Sequence, residues 1–577
     1  MRSRWRNASE DEKGIFFLGA LFLSTLTMLI VTVGLTRTFT EMRAATLNLR
    51  KTQDFHMAEA AIDYGIVEAR RQVLTLDQFP TQLTVINPPT LPDIPGHYTF
   101  PPSTYEVTFL DPSQPREVTV GTGIPALLPY KGMKALVRDL RIRVNLEGPT
   151  GLWTYLESVS QFHLIPIYQF AEFDWNDWTF TPGPEMSITG AIYANGSIAL
   201  GPDTGLTVDG TITTAKEFLH ILPGIGYVNI KGSDANYHDM RNVDGSWLES
   251  IAANGMAGIA ARWGGQVQAH APAITLPMPK DASGNPIEPV TLIQSYNASD
   301  TAELRKAKMF YQADLRIKDG NKIDANGNSL GPLPLSVVSP ATFWDAREQK
   351  TMCVTDVDIG NLQSSIRDPG NGMVLYVEST QPACKNGVRI KNGAELKYPL
   401  TIVTHNPLYV VGDYNVGNSI RGTFKRPASL MADALTVLSS AWNDANATRP
   451  TLQRVAADTT VNAALMTSRA WQLESDTPPA EISRTAPYLE HGPASEHMIR
   501  FLENWDARTF TFTGSEVSPW DSREATSNLV VDTYAAPRRI WAFDQSFLTN
   551  SKLPPGTPKI HAVVIGSWRE CAGGPCL

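Results

Sequence analysis

GIFFLGALFLSTLTMLIVTVGL, residues 14–35, contains no charged residue, and TRTFTEMRAATLNLRKTQDFHMAEAAIDYGIVEARRQVLTL, residues 36–76, follows it without a proline. About 20 consecutive apolar residues are enough to cross a bilayer as a helix. Because nothing interrupts the pattern after residue 35, the same helix is expected to continue into water. The sequence therefore predicts one long helix over residues 15–76, first transmembrane and then amphipathic.

The residues before the apolar run set its expected orientation. Basic residues near a membrane span favour the cytoplasmic side, so residues 1–14 are interpreted as a cytoplasmic leader and the rest of the chain as extracytoplasmic. Ser9 and Glu12 have the spacing of a capping box, which favours helix entry at this point. A cleaved secretory signal is the alternative, but its apolar core is shorter and a small-residue cleavage site follows it. The basic residues are Arg2, Arg4, Arg6 and Lys13.

The water-side part of the helix carries an apolar stripe with spacings of three and four residues. Two interpretations are open at this stage. Either the stripe packs on the chain's own body, or it packs on copies of itself or on relatives in a filament. The stripe consists of Phe55, Ala58, Ile62, Ile66, Ala69, Val73 and Leu76.

The N-terminal region resembles that of type IV pilus minor pilins of the PilX kind. The resemblance rests on Lys13-Gly14, on the apolar run and on FHMAEAAIDYGIVEAR (residues 55–70), within which Ala58-Glu59-Ala60 is the most specific part. It implies that a prepilin peptidase cuts after Gly14 and leaves Ile15 as the new N-terminus. It also implies pilin or pseudopilin helices as partners, contacted through Phe16, Phe17, Leu21, Leu26, Phe55, Ala58, Glu59, Ile62 and Ile66.

One position departs from the pattern of ordinary pilins. They carry a glutamate at the fifth mature position, which pairs with a neighbouring N-terminus, whereas this chain has Gly19 there. PilX-type segments and the tip pseudopilin of type II secretion commonly lack this glutamate as well. The departure argues against a major pilin and favours a minor, initiating or tip subunit.

The rest of the chain is expected to be mainly β, because 42 Gly and 41 Pro favour many turns. A β-rich linking domain is predicted over residues 77–180, and a larger body over residues 181–577 with a helical insertion at about 240–340. Much of residues 150–570 also resembles uncharacterised bacterial proteins with PilX-type N-termini, for which no activity is implied. The net charge of −9 argues against a nucleic-acid partner.

A weak internal repeat gives the body a possible architecture. Gly190, Gly210 and Gly232 each follow a short β-branched run, and they are separated by 20 and 22 residues. This period is typical of the rungs of a parallel β-helix, or solenoid. A β-meander with glycine turns is the alternative. Residues 428–445 are predicted to be partly helical.

The four cysteines form two candidate disulfides if the body lies outside the cytoplasm. The pairs are Cys353 with Cys384 and Cys571 with Cys576, and the alternative is free thiols.

No motif of a known catalytic or nucleotide-binding site is present, so the chain is interpreted as a non-enzyme without a cofactor or metal. Asp324, Asn326 and Asn328 match the first ligands of a calcium loop, but the sixth position is Ser329 and the twelfth is Leu335. This segment is interpreted as a hairpin tip. Two further alternatives are weaker: a metal at His491, Glu496 and His497, and polysaccharide hydrolysis by Asp356 and Asp358.

The sequence thus predicts a structural, accessory pilin-like protein of a bacterial type IV pilus or a related secretion filament. It is expected in the inner membrane as a single-pass protein and in the surface filament, with its body displayed for assembly or adhesion. The alternative is a permanently membrane-anchored envelope protein that binds glycan or protein partners.

Overall fold

The structure is a computed structural model. It describes residues 4–73, 79–90, 98–110, 115–121, 125–149, 151–221, 225–281, 283–418, 420, 424–468, 498–527, 533–571 and 574–576, with the backbone alone for residues 4–13, 125, 126 and 128. Arg2 and Leu76, and the metal alternative at His491, Glu496 and His497, lie outside the described residues.

One helix dominates the N-terminal part of the chain. Helix α1 is 70 residues long, or about 105 Å at 1.5 Å per residue. The predicted continuous helix is confirmed, and the other helices are short. The helices are α1 (Arg4–Val73), α2 (Gly255–Trp263), α3 (Ala302–Ala307), α4 (Met309–Gln312) and α5 (Ile359–Ser365).

Strands make up most of the remaining regular structure, so the chain is mainly β. The strands of the first half are β1 (Tyr105–Phe109), β2 (Arg116–Thr119), β3 (Lys134–Glu147), β4 (Trp153–Pro166), β5 (Phe170–Asp174), β6 (Trp178–Phe180), β7 (Met186–Thr189), β8 (Ala191–Ala194), β9 (Ile198–Leu200), β10 (Gly205–Asp209), β11 (Ile212–Thr214), β12 (Phe218–His220), β13 (Tyr227–Lys231), β14 (Tyr237–Asp239) and β15 (Val267–Gln268). Those of the second half are β16 (Leu315–Lys318), β17 (Asn321–Ile323), β18 (Ser329–Pro332), β19 (Val338–Asp345), β20 (Lys350–Asp358), β21 (Met373–Glu378), β22 (Lys385–Lys391), β23 (Leu400–Val403), β24 (Leu408–Val411), β25 (Ala428–Met431), β26 (Leu435–Leu438), β27 (Thr459–Met466), β28 (Ile499–Phe501), β29 (Thr509–Ser518), β30 (Arg538–Phe543) and β31 (Lys559–Glu570).

Five of these strands form an antiparallel sheet against α1. The sheet has the order β1-β3-β4-β31, and β2 pairs with β3 beyond the end of β1. We call residues 14–53 of α1 the rod, and residues 54–73 together with this sheet the head. The alternation of Leu140, Ile142, Val144 and Leu146 on β3 places four apolar side chains on the face that meets the helix.

The remaining domain, which we call the body, is residues 167–558. It is inserted between two neighbouring strands of the head, because Pro166 at the end of β4 pairs in register with Lys559 at the start of β31. The sequence placed residues 559–570 with the body, whereas the structure places them in the head sheet. Strands that are so far apart in the sequence carry no local sequence pattern that would predict their pairing.

The first part of the body is a stack of short parallel strands. Strands β7, β10 and β13 pair in parallel, and Ile188, Val208 and Ile230 align across them. Strands β5, β8 and β11 form a second parallel ladder, and β6, β9 and β12 a third. These strands therefore pair in parallel, whereas a meander would pair its strands antiparallel. The glycines are required by close packing, since a Cβ atom at Gly210 would collide with the carbonyl oxygen of Gly190.

The second part of the body contains two further parallel ladders. One runs β16-β21-β23-β25-β27-β29 and the other runs β20-β22-β24-β26-β28. Apolar side chains from both ladders form one core. Strand β5 pairs with β29 and so joins the first stack to this part.

One secondary-structure prediction in this region is wrong. Residues 428–438 form strands β25 and β26 instead of a helix. Every side chain in these two strands is buried, so the run is apolar on both faces and its periodicity does not distinguish a buried strand from a helix.

A shared core fixes the head to the body. Ala135, Val137 and Ile165 of the head belong to the same buried cluster as Phe170 and Phe310 of the body. Because one apolar core contains side chains from both parts, the head and the body pack directly against each other.

Candidate functional site

The candidate site is helix α1, whose surroundings change at Asp54. Every described side chain from residue 14 to residue 53 is exposed, and burial begins with Asp54. The rod is therefore exposed on all of its faces, whereas residues 54–73 pack one face against the head sheet. Gly14 and Ile15 lie within the exposed, helical part of the rod.

The rod is long and apolar enough to cross a bilayer, with a mean hydropathy of 2.3 in its most apolar window. Its threonines are compatible with an apolar environment, because their hydroxyl groups donate hydrogen bonds to backbone carbonyl oxygens one turn earlier. Thr25 and Thr27 donate to Leu21 and Leu23 at 2.9 Å and 2.7 Å, respectively. Polar groups that are satisfied within the helix suit a membrane interior.

The predicted stripe on the second half of α1 is used by the chain's own head. Ala58, Ile62 and Ala69 are buried against the apolar face of β3 and β4. Phe55 is partly buried and packs edge-on against Trp568 of β31, with ring centroids 5.0 Å apart. Ile66 is also partly buried in this cluster, and Val73 is fully buried in it. The stripe therefore packs on the chain's own head from residue 55 onward, and the surfaces left for other chains are the rod and the outward face of residues 56–67.

Glu59 lies on the outward side of this half of the helix. Its carboxylate is 3.1 Å from Nδ1 of His56, and about half of its side chain is exposed. It is less buried than Ala58 and Ile62, which belong to the head core. Within the Ala58-Glu59-Ala60 tract, Ala58 is buried, Glu59 is half-buried and Ala60 is exposed.

Sequence reasoning missed three residues that position the helix. Tyr105 on β1 donates its hydroxyl to the carbonyl oxygen of Ala61 at 3.0 Å. A Cβ atom at Gly65 would lie 2.7 Å from the same hydroxyl, so glycine allows the helix to approach the strand. A glycine inside a helical pattern is the sequence signal from which this close contact could have been predicted.

Asp54 is the third, at the point where the rod leaves the head. Burial raises the pKa of its carboxyl group, while a hydrogen bond from Tyr98 and the charge of Arg50 act in the opposite direction. The carboxylate lies against Gly148 in the turn between β3 and β4, where a Cβ atom would meet it at 2.7 Å.

The rod and the body leave the head at opposite ends of the sheet. Asp54 is next to the turn that follows β3, whereas the body begins at Pro166, at the far end of β4. Strand β4 has 14 residues, which is about 46 Å at 3.3 Å per residue. The C-terminal end of α1 faces the body, and Arg71 lies 3.5 Å from Glu303 there.

The structure pairs the four cysteines as the sequence suggested. Cys353 and Cys384 form one disulfide with Cα atoms 5.6 Å apart, and Cys571 and Cys576 form the other at 5.4 Å.

The residues considered for chemistry have structural partners. Asp356 is buried and accepts two hydrogen bonds from Arg389, at 2.6 Å and 2.8 Å. Asp358 caps α5 by accepting from the backbone of Asn361 at 2.8 Å. Asp324 closes the turn between β17 and β18, which confirms the predicted hairpin tip. Within the described ranges, no group of three or more His, Cys, Asp or Glu side chains is arranged to hold a metal ion.

Comparisons with known proteins add one structural likeness. No protein-family model matches the chain, and no curated protein matches it. Among solved structures, the chain is similar to the crystal structure of the competence-associated pilin ComZ from Thermus thermophilus. The identity is 10%, the alignment covers 90% of this chain and 98% of that chain, and the TM-score is 0.27.

Proposed function

We propose that this protein is an accessory, pilin-like subunit of a type IV pilus or a related filament. The rod first holds the chain in the inner membrane as a single pass, with the N-terminus in the cytoplasm. A prepilin peptidase cuts between Gly14 and Ile15, and the rod then packs among the helices of neighbouring pilin or pseudopilin subunits. The body, a parallel β-solenoid in this proposal, is displayed outside the cell for assembly or adhesion and has no catalytic role.

The observation that carries the proposal is the division of labour along α1. Residues 14–53 are exposed, and their apolar side chains require a membrane or other helices as cover. Residues 54–73 pack their apolar stripe against the head sheet. Residues 54–73 thus pack on the chain's own sheet, and residues 14–53 remain exposed. This arrangement suits a subunit that moves from a bilayer into a bundle of helices.

The position of the body supports a display role. It is inserted at the end of the head sheet that is farthest from the rod, and a shared core holds it there. When the rod is embedded in a membrane or in a filament core, the body therefore projects away from that core. Gly19 at the fifth mature position, where it has open space around it, fits an accessory subunit better than a major one.

The test is the mass of the full chain expressed with and without a prepilin peptidase. We expect the peptidase to shift the N-terminus from Met1 to Ile15, and Gly14→Arg to abolish the shift. Gly19→Ala is the matched control and should be cut normally. A mass that starts at Met1 and does not respond to the peptidase would contradict the proposal and favour a permanently anchored envelope protein.

A further inference from the structure

Arg347 is a buried arginine whose guanidinium group makes no hydrogen bond. It lies in the turn of residues 346–349 between β19 and β20 and is 1% exposed. Its Nε, Nη1 and Nη2 atoms are all buried, and none has a partner among the residues that the structure describes. A guanidinium group carries five N–H donors and no acceptor. Donors of this kind are costly in a protein interior unless an acceptor satisfies them.

The first carboxylate near this guanidinium group, that of Asp345, is engaged by other donors. Its Oδ1 accepts from the backbone N–H groups of Arg347 and Glu348, at 2.8 Å and 3.0 Å. Its Oδ2 accepts from the hydroxyl of Tyr409 at 2.6 Å. Asp345 therefore holds the backbone of the turn, and it leaves the guanidinium group of Arg347 without a hydrogen bond.

The second carboxylate, that of Glu348, is also engaged, and it brings another guanidinium group close. Its Oε1 accepts from Nη1 of Arg500 at 2.9 Å, and its Oε2 accepts from the backbone N–H of Ser527 at 3.2 Å. Arg500 is 3% exposed, and its Nε is buried without a partner as well. Burial and the charge of Arg500 lower the pKa of Arg347 to about 9. Two neighbouring buried arginines thus offer N–H donors that the two carboxylates do not match.

A short loop is fixed against the two arginines. Residues 522–525 donate four hydrogen bonds to the buried carboxylate of Asp433, which anchors the loop. Nη2 of Arg500 donates to the carbonyl oxygen of Ala525 in this loop at 2.8 Å. Because the loop is held on both sides and Arg347 is 1% exposed, a ligand at these donors has to be small.

We propose that the guanidinium group of Arg347, together with the Nε–H of Arg500, binds a small inorganic anion of chloride size. Such an anion accepts from several N–H donors at once. A water molecule would accept from an arginine but would add two donors that need acceptors of their own. The enclosure by the loop favours chloride over a larger oxyanion or an organic carboxylate. The bound ion stabilises the body, and this role does not depend on the filament function of α1.

The experiment is thermal unfolding of the purified full-length protein in detergent, in sodium chloride and in sodium gluconate at equal ionic strength. Gluconate is too large for an enclosed site and serves as the reference anion. We expect the unfolding midpoint of the body to be higher in chloride by at least about 2 °C, because an ion that binds only the folded state stabilises it. In Arg347→Met this difference should disappear.

The matched control is Arg508→Met, the same change at an exposed arginine, which should keep the full response to chloride. If Arg347→Met does not fold, equilibrium dialysis of the wild type against radioactive chloride should show a single saturable ion per chain, displaced by bromide.

Three results would each overturn the proposal. They are equal wild-type midpoints in chloride and gluconate, a chloride response that Arg347→Met retains, and the absence of saturable chloride in the dialysis. Stabilisation by sulfate that chloride does not provide would overturn the assignment of a chloride-sized ion.

Discussion

Tyr105 donates its hydroxyl to the carbonyl oxygen of Ala61, 3.0 Å away, and so ties the first strand of the head to the C-terminal part of α1. One turn further along the helix, Gly65 faces the same ring. This contact fixes the height at which the helix sits on the sheet. It therefore also fixes how much of α1 is left over as rod.

Gly65→Ala should destabilise the head by about 1–3 kcal/mol, because its methyl group would lie 2.7 Å from the Tyr105 hydroxyl. Chemical denaturation in detergent, followed by circular dichroism, measures the change. The same substitution should cost less in a Tyr105→Phe background, since the clashing oxygen is then absent. Gly34→Ala is the control, because nothing lies within 4 Å of that position. An equal loss for both glycines would contradict the assigned contact.

The stability of the body should fall as the pH rises from about 4.5 to about 8. Glu172 and Glu516 face each other in register where β5 meets β29, and both are buried. Burial raises the pKa of Glu516 to about 8, and burial with the neighbouring Glu516 raises the pKa of Glu172 well above its usual value. The unfolded chain releases these protons near pH 4.5, whereas the folded chain retains them until the higher pH, so alkali favours unfolding.

Glu516→Gln should therefore flatten this pH dependence and raise the free energy of unfolding at pH 8 by at least about 1 kcal/mol. Asp174 and Arg539 also act on the pair, and Trp541 donates to Glu172 at 3.2 Å. Glu185→Gln, at an exposed position, is the control and should leave the slope unchanged. A wild-type stability that is constant between pH 5 and pH 8 would refute the prediction.

What the sequence could predict depended on whether the signal was local. The helix was predictable because 22 uncharged positions and a stripe of spacing three and four are both read within one segment. The alignment of Ile188, Val208 and Ile230 was predictable because glycine marks each turn of the stack.

Non-local features were not predictable. The pairing of Lys559 with Pro166 joins residues that are nearly 400 positions apart, and neither strand carries a mark of its partner. Asp54 looks like a surface residue on a helix, yet the turn at Gly148 buries it. Of the candidate site, the rod was therefore accessible from sequence, and the way the head and body are built around it was not.

The two disulfides should differ in their contribution to stability. In the loop-entropy estimate, Cys353–Cys384 closes 31 residues and is worth about 3–4 kcal/mol, whereas Cys571–Cys576 closes 5 residues and is worth about 2 kcal/mol. The double serine variants at each pair, compared by thermal unfolding without reductant, measure this difference. A larger loss for the C-terminal pair would argue against the estimate and indicate that the local structure at the end of β31 dominates.

Two substitutions on α1 should separate folding from assembly. Ile62 is 3% exposed in the head core, and Ile62→Ala should lower the free energy of unfolding by about 2–4 kcal/mol through lost burial and the resulting cavity. Leu26 is 43% exposed on the rod, and Leu26→Ala should change that free energy by less than about 0.5 kcal/mol. Denaturation in detergent measures both.

In cells that assemble the filament, Leu26→Ala should nevertheless reduce the amount of this protein in sheared filaments, since the rod supplies the helix contacts there. If Leu26→Ala enters filaments as well as the wild type while Ile62→Ala alone is lost, the filament contacts do not run through the rod.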